Sequence, residues 1–206
     1  MKCFKSTVIA FIALLSVSAN AAFIDFNDYT TSSIANQHLS GDATASADGS
    51  TLELDGNLWV YISDTFEIDP STVLYFTLDT FGAEAENYGI GFNNSNNVAA
   101  KTFFQLGGTQ LSRQNQIASY TFGDGAVDFA IEVGTFFTGS FKNLVFILDA
   151  DEVSGTSSLF RNVELCSDGE FCASTLGSVT SVDEPSPGII LAMSILFLVG
   201  GRRIFN

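Results

Sequence analysis

The sequence predicts an all-β fold, a two-sheet antiparallel β-sandwich formed by the middle of the chain. Phe, Val, Ile and Thr cluster in short runs with alternating polarity, which is typical of half-buried strands. Gly, Asn, Asp and Ser separate these runs and predict turns. In this middle part, no stretch of ten or more residues keeps a helical period free of Gly or Asn, so a helical domain is not favoured.

About ten strands are predicted between the two ends of the chain. They are Phe23–Asn27, Ser50–Leu54, Leu58–Ser63, Thr72–Asp79, Tyr88–Asn93, Thr102–Leu106, Ile117–Phe122, Val127–Val133, Leu144–Asp149 and Leu159–Leu165. Short strands at this spacing favour a sandwich, most often of the jelly-roll type. The predicted domain covers residues 22–165, and Phe is unusually common in the chain as a whole, with 20 copies.

Residues 1–21 have the three parts of a secretory signal peptide. Lys2 and Lys5 precede an apolar stretch, Thr7–Val17, and Ala19-Asn20-Ala21 supplies small residues for signal peptidase. Cleavage is expected before Ala22. The alternative is an uncleaved anchor helix, although the apolar stretch is short for a membrane span of ~20 residues.

The C-terminal segment, residues 187–206, contains a short apolar stretch followed by two arginines. Gly188–Gly201 has 14 residues, which as a helix reach about 21 Å, less than the ~30 Å hydrocarbon core. Tilt and snorkelling of Arg202 and Arg203 would help it span. We therefore expect a C-terminal transmembrane helix, with the arginines on the cytoplasmic side and the domain outside.

Asp183-Glu184-Pro185, the apolar helix and the pair Arg202 and Arg203 together resemble the PEP-CTERM sorting signal. The usual first proline of that motif is replaced by Asp183. The resemblance implies processing by an exosortase and export across the inner membrane of a Gram-negative bacterium to the cell surface or extracellular matrix. A plain single-pass anchor is the alternative.

Residues 166–186 are rich in Ser, Gly and Thr and are predicted to be a flexible linker. Cys166 and Cys172 lie in this segment, and in an oxidising compartment they would close a small disulfide loop. Two unpaired thiols are the alternative. Zinc is not favoured, because His38 is the single histidine.

Charge limits the partners of the domain. All 23 acidic residues lie between Asp25 and Glu184, where only four basic residues stand beside them. Repulsion disfavours nucleic acid and anionic lipid headgroups. Neutral polysaccharide, a divalent cation or a merely solubilising surface all fit this charge.

Four segments resemble bacterial carbohydrate-binding jelly rolls: Phe23-Ile24-Asp25-Phe26, Gly89-Ile90-Gly91-Phe92-Asn93, residues 103–110 and Phe160-Arg161-Asn162-Val163. The resemblance implies a sugar-binding module without specifying its ligand. Such modules stack sugar rings on exposed aromatic side chains and bind hydroxyls with polar ones.

Trp59 and Tyr61 are the candidate sugar platform. They share one strand face, while Leu58, Val60 and Ile62 share the other and suit the core. Tyr88 and Asn93 could line the same groove. The alternative is that Trp59 belongs to the core, as the single tryptophan of a sandwich often does.

A structural Ca²⁺ ion is a second hypothesis. Asp149, Asp151 and Glu152 offer three carboxylates within four residues, and Asp25 would join them if the first and last strands meet. Ca²⁺ takes six to eight oxygen ligands. The alternative is an acidic surface turn, since the spacing matches no EF-hand loop.

No catalytic residue is predicted. The chain has no Gly-x-Ser-x-Gly elbow and no glycine-rich phosphate loop with a lysine, and His38 is isolated. We therefore expect a non-catalytic binding module. A structural matrix protein without a specific ligand is the alternative, and a hydrolase built on two convergent carboxylates is less favoured.

Overall fold

The computed structural model describes residues 23–98, 100–112, 114–117 and 119–167. Their regular secondary structure consists of strands and of short 3₁₀ helices at Phe26–Asp28, Ala100–Thr102 and Val133–Thr135, joined by turns and irregular segments. The all-β prediction is confirmed. The strands are β1 Ser32–Ala45, β2 Thr51–Ile68, β3 Val73–Gly82, β4 Asn87–Asn93, β5 Phe103–Gly107, β6 Asn115–Gln116, β7 Val127–Ile131, β8 Gly139–Asp149 and β9 Thr156–Cys166.

Six of the predicted strands overlap β3, β4, β5, β7, β8 and β9. The predicted strand Phe23–Asn27 is wrong, because Phe26–Asp28 is a 3₁₀ helix capped by the Asp25 carboxylate. The described residues of 117–122 form no strand, and the two-residue β6 precedes them. Strand β1 was not predicted, because its sequence is polar and lacks alternation.

The strands form one hydrogen-bonded sheet in the order β6-β5-β4-β8-β2-β9-β3-β7, with β1 also paired to β2. The pairing of β5 with β6 is parallel, and the other pairings are antiparallel. The predicted pair of separate sheets is therefore corrected to one continuous sheet. The jelly-roll connectivity stays a prediction.

Strand β2 joins the two halves of this sheet. Its first part, Thr51–Asp55, pairs with β9, and its second part, Leu58–Ile68, pairs with β8. Gly56 lies between them with φ +112°, opposite Gly41 with φ +90°. A Cβ atom on Gly41 would lie 1.7 Å from the Asp55 carbonyl oxygen, so this crossing requires glycine. The two strands predicted at Ser50–Leu54 and Leu58–Ser63 are therefore parts of one long strand that bends at Gly56.

We call β6, β5, β4, β8 and residues 58–68 the front layer, and residues 51–55, β9, β3 and β7 the back layer. The two layers face each other across one core. Phe146 of β8 meets Phe160 of β9 edge to face at 5.1 Å, although their strands are not paired. Tyr120 links the layers too, because its ring packs on Tyr88 of β4 and its hydroxyl lies 2.8 Å from Thr80 Oγ1 of β3.

The predicted terminal segments, residues 1–21 and 187–206, lie outside the described residues, as does the linker beyond residue 167. Among the described residues, none of the helices has the length and apolar character that crossing a membrane needs. The boundaries of the signal peptide, linker and sorting tail therefore stay predictions.

Candidate functional site

The two faces of the central part of β2 differ as the alternation predicted. Leu58, Val60 and Ile62 point into the core between the layers. Trp59 points the other way, onto the outward side of the front layer, which we call the front face. There it belongs to a second apolar cluster with half-buried Tyr61 packed against it; the other members are Ile34, Phe103, Val145 and Ile147.

Trp59 is nevertheless closed to solvent, with 6% of its surface exposed. Its ring packs edge to face on Phe103 at 6.0 Å. Phe103 in turn lies over Gly91, where a Cβ atom would come within 2.5 Å of its Cδ1 atom. Ile34 of β1 is buried in the same cluster. The prediction of an exposed Trp59 platform is therefore wrong, because side chains of β1 and β5 cover the indole.

Tyr88 and Asn93 do not line a groove on this face either. Tyr88 is fully buried in the core between the layers, where its hydroxyl accepts a hydrogen bond from the Ala85 N–H at 2.8 Å and burial raises its pKa. Asn93 is buried as well. Its amide donates to the Asn97 carbonyl at 2.9 Å and accepts from Asn143 at 2.8 Å. Both side chains serve the fold.

The residues predicted to bind Ca²⁺ make other contacts. Asp25 accepts the Asn27 N–H at 2.9 Å, and Asp151 accepts the Asn57 amide at 2.8 Å. Glu152 uses its own N–H to reach Glu86 at 2.9 Å. Within the ranges that the structure describes, no three His, Cys, Asp or Glu side chains group together in a way that could hold a metal ion. Calcium binding stays a prediction that these contacts do not support.

Asp149 stands out among these carboxyl groups. Burial raises its pKa, and the nearby carboxylates of Asp151 and Glu86 raise it further. The indole of Trp59 lies near the Asp149 carboxyl group and acts to lower its pKa. The Trp59 Nε1 atom nevertheless makes no hydrogen bond of good geometry. The outer end of the front face therefore holds a carboxyl group that resists ionisation.

An open pocket lies on the opposite side of the sandwich. It has a volume of about 480 Å³ and opens on the outward side of the back layer, which we call the back face. Its walls come from β3, β7, β9 and the residues before the first 3₁₀ helix: Phe23, Tyr75, Phe76, Thr77, Asp128, Phe129, Ala130, Asn162 and Glu164.

The aromatic side chains exposed at this pocket are those of Tyr75 and Phe23, whereas Phe76 and Phe129 border it from the core side. Phe76 and Phe129 belong to the core and stack on each other at 4.9 Å with nearly parallel rings. Tyr75 is half-buried on the outward side of β3. Phe23 is 39% exposed, and the chain beside it is held to β9 by the Ile24 N–H bond to the Val163 carbonyl at 2.7 Å.

Polar side chains form the rest of the wall. Thr77 and Asp128 are register partners on β3 and β7, and the Thr77 hydroxyl donates to Asp128 Oδ1 at 2.6 Å. Asn162 is exposed at φ +49°, where the pairing of β9 with β3 is irregular. That irregularity leaves Glu164, 2% exposed, in the pocket wall. The pocket thus combines aromatic surface with hydrogen-bonding groups.

One wall of this pocket, formed by β3, can be predicted from the sequence. Tyr75 and Thr77 occupy alternate positions of a correctly predicted strand whose other positions are the apolar Leu74, Phe76 and Leu78. That pattern places Tyr75 and Thr77 on one outward face. Their neighbours could not be predicted, because Asp128 is distant in sequence and joins them through the register of β7.

The remaining predicted residues lie at or beyond the end of the described chain. Cys166 is buried at the end of β9, whereas Cys172 lies outside the described residues, so their pairing stays a prediction. The sorting residues Asp183, Glu184, Pro185, Arg202 and Arg203 also lie outside them.

No family model matches the chain, and no curated protein matches it. Among solved structures, a carbohydrate-binding module of family 29 is similar over 73% of this chain and 99% of its own, at 16% identity and a TM-score of 0.38. A module in complex with β-1,4-galactotriose is similar over 70% of this chain and 92% of its own, at 11% identity and a TM-score of 0.37. The structure of the glycoside hydrolase domain of Endo-D from Streptococcus pneumoniae R6 is similar over 69% of this chain and over only 22% of its own, at 11% identity and a TM-score of 0.41.

Proposed function

We propose that this chain is a non-catalytic carbohydrate-binding protein that holds a polysaccharide in the back-face pocket. The observation that carries the proposal is a pocket of about 480 Å³ in which Tyr75 and Phe23 stand beside Thr77, Asp128 and Asn162. This volume lies in the usual range for small-ligand sites, about 300–1,000 Å³.

The chemistry of the walls suits a sugar. Aromatic rings cover the apolar C–H face of a pyranose ring and bury a large area for few rotatable bonds. The hydroxyl of Thr77, the amide of Asn162 and the carboxylate of Asp128 supply donors and acceptors for the sugar hydroxyls. The pocket wall contains no Lys or Arg, so it disfavours anionic ligands.

Calorimetric titration of the mature protein with a panel of polysaccharides tests the proposal. We expect binding that Tyr75→Ala weakens by at least about tenfold, since buried aromatic side chains dominate such sites. Phe81→Ala is the matched control, because Phe81 lies on the same strand and is exposed outside the pocket. Absence of binding to every glycan in the panel would refute the proposal.

Tryptophan fluorescence distinguishes this pocket from the front face. Trp59 is the single tryptophan and lies on the side of the sandwich away from the pocket. Saturating ligand should therefore leave its emission nearly unchanged while the calorimetric signal saturates. Strong quenching by the sugar would instead locate binding on the front face.

We further propose that the protein is exported and sorted through its tail. The basic, apolar and small-residue order of residues 1–21 supports cleavage by signal peptidase, and the order of residues 183–203 supports processing by an exosortase. Before processing, the apolar tail would hold the protein in the membrane. Mass spectrometry of the mature protein reads both ends, and a C-terminus intact to Asn206 would contradict sorting.

A structural matrix protein is the second candidate. The closed front face favours it, because Trp59, the most conspicuous sugar platform of the sequence, is buried. This candidate predicts that Tyr75→Ala changes no glycan affinity. It therefore shares the titration above as its test and expects the opposite result.

A further inference from the structure

The back-face pocket is lined by carboxyl groups and by no basic side chain. Asp128 and Glu164 both contribute to its wall. The neighbouring cation of β9, Arg161, is held by Asp79 at 3.2 Å. Glu53 and Asp55 of β2 are exposed in the same layer. The electrostatic potential at this pocket is therefore negative, which favours positively charged sugars over negatively charged ones.

Asp128 can accept a further hydrogen bond at the pocket mouth. Its carboxylate is exposed, and Thr77 donates to Oδ1. A carboxylate has about four lone-pair positions, so one hydroxyl donor leaves room for an ammonium group. Hydrogen bonds between charged partners are roughly twice as strong as neutral ones.

The aromatic rim favours a cation as well. The faces of Tyr75 and Phe23 carry the negative part of the ring quadrupole, which attracts an ammonium group within about 6 Å of the ring centre. The same rings stack on the C–H face of a sugar. A protonated amino sugar would use both properties at once, whereas a neutral sugar would use only the second.

We infer that the back-face pocket selects a polysaccharide of unacetylated, protonated hexosamine units, recognised through Asp128 together with the Tyr75 and Phe23 rings. This inference rests on the proposed carbohydrate-binding function and names its ligand class. The unmodified amine is the recognised group, and N-acetylation removes both its charge and its extra donors.

The test compares a glucosamine pentamer with its fully N-acetylated equivalent by calorimetry on the mature protein at mildly acidic pH. We expect the amine form to bind at least about fivefold more tightly, as an exposed ion pair together with a cation–π contact implies. Raising the salt concentration should reduce this preference because the carboxylate is exposed.

Asp128→Asn should bring the affinities for the two pentamers to within about twofold of each other, because its amide oxygen still accepts the Thr77 hydroxyl but carries no charge. Asp55→Asn, an exposed carboxylate outside the pocket, is the matched control and should leave the preference intact. Thermal melts of both variants check that the fold survives.

Equal or tighter binding of the N-acetylated pentamer would overturn the inference, yet the proposed function would stand. An equal loss of preference in both variants would also overturn it, because general surface charge would then suffice. Absence of binding to either pentamer and to all neutral glycans would refute the inference and the proposed function together.

Discussion

Phe160 tests whether the two layers share one core. Its side chain is 0% exposed on β9, and it meets Phe146 of β8 at 5.1 Å and Phe76 of β3 at 6.1 Å. Truncating a core phenylalanine to alanine removes its transfer free energy and leaves a cavity, which together cost about 3–5 kcal/mol. For a domain of this size, each kcal/mol lowers Tm by about 2–4 °C, so Phe160→Ala should lower Tm by roughly 6–20 °C.

Thermal unfolding followed by circular dichroism measures this difference. Phe81→Ala is the control, because Phe81 lies on the neighbouring strand β3 and is 47% exposed. Its loss should change the free energy of unfolding by less than about 0.5 kcal/mol, as is usual for surface substitutions. If Phe160→Ala lowers Tm no more than Phe81→Ala, Phe160 is not enclosed between two layers and the described core is wrong.

Further tests concern Asp149, Gly91 and Tyr29. Burial raises the pKa of Asp149, so the stability that this carboxyl group contributes is greatest below its unfolded pKa near 3.8 and is lost as pH rises through its folded pKa. Asp149→Asn should therefore raise Tm at pH 7 and lose that advantage below pH 4. A lower Tm of the variant at pH 7 would contradict this reasoning. Gly91→Ala places a Cβ atom 2.5 Å from the Thr102 carbonyl oxygen, so it should lower the free energy of unfolding in urea by about 1–3 kcal/mol. An unchanged unfolding midpoint would show that β4 and β5 move apart without cost. Burial and a 2.9 Å hydrogen bond to Asp64 raise the pKa of Tyr29 to about 12. An absorbance titration of Tyr29→Phe should therefore show one tyrosine fewer ionising near pH 12 than the unmodified protein shows. An unchanged titration step would assign that pKa to another residue.

Local patterns were sufficient to predict the fold class and most strands. The apolar alternation of Val73–Gly82 and the apolar run in Gly139–Asp149 mark buried strands irrespective of their partners. Strand β1 carries no such pattern because most of its residues are exposed. Its pairing with β2 depends on backbone contacts, including the close approach of Gly41 and Gly56.

The binding site was harder to predict than the strands. Alternation correctly separated Trp59 from Leu58 and Val60, but it reports which face a side chain takes and says nothing about what covers that face. The cover over Trp59 comes from Ile34 and Phe103, which reach it only through tertiary packing. The pocket depends in the same way on the register of β3 with β7.

Chemical-shift mapping of the mature protein by ¹⁵N NMR, during titration with a bound oligosaccharide, shows which face of the sandwich holds the sugar. We expect the shifts to concentrate in the back-face pocket, at Tyr75, Thr77, Asp128, Asn162 and Phe23, while the indole N–H of Trp59 stays unmoved. Shifts centred on Trp59 and Tyr61, with the pocket residues unchanged at saturation, would contradict it.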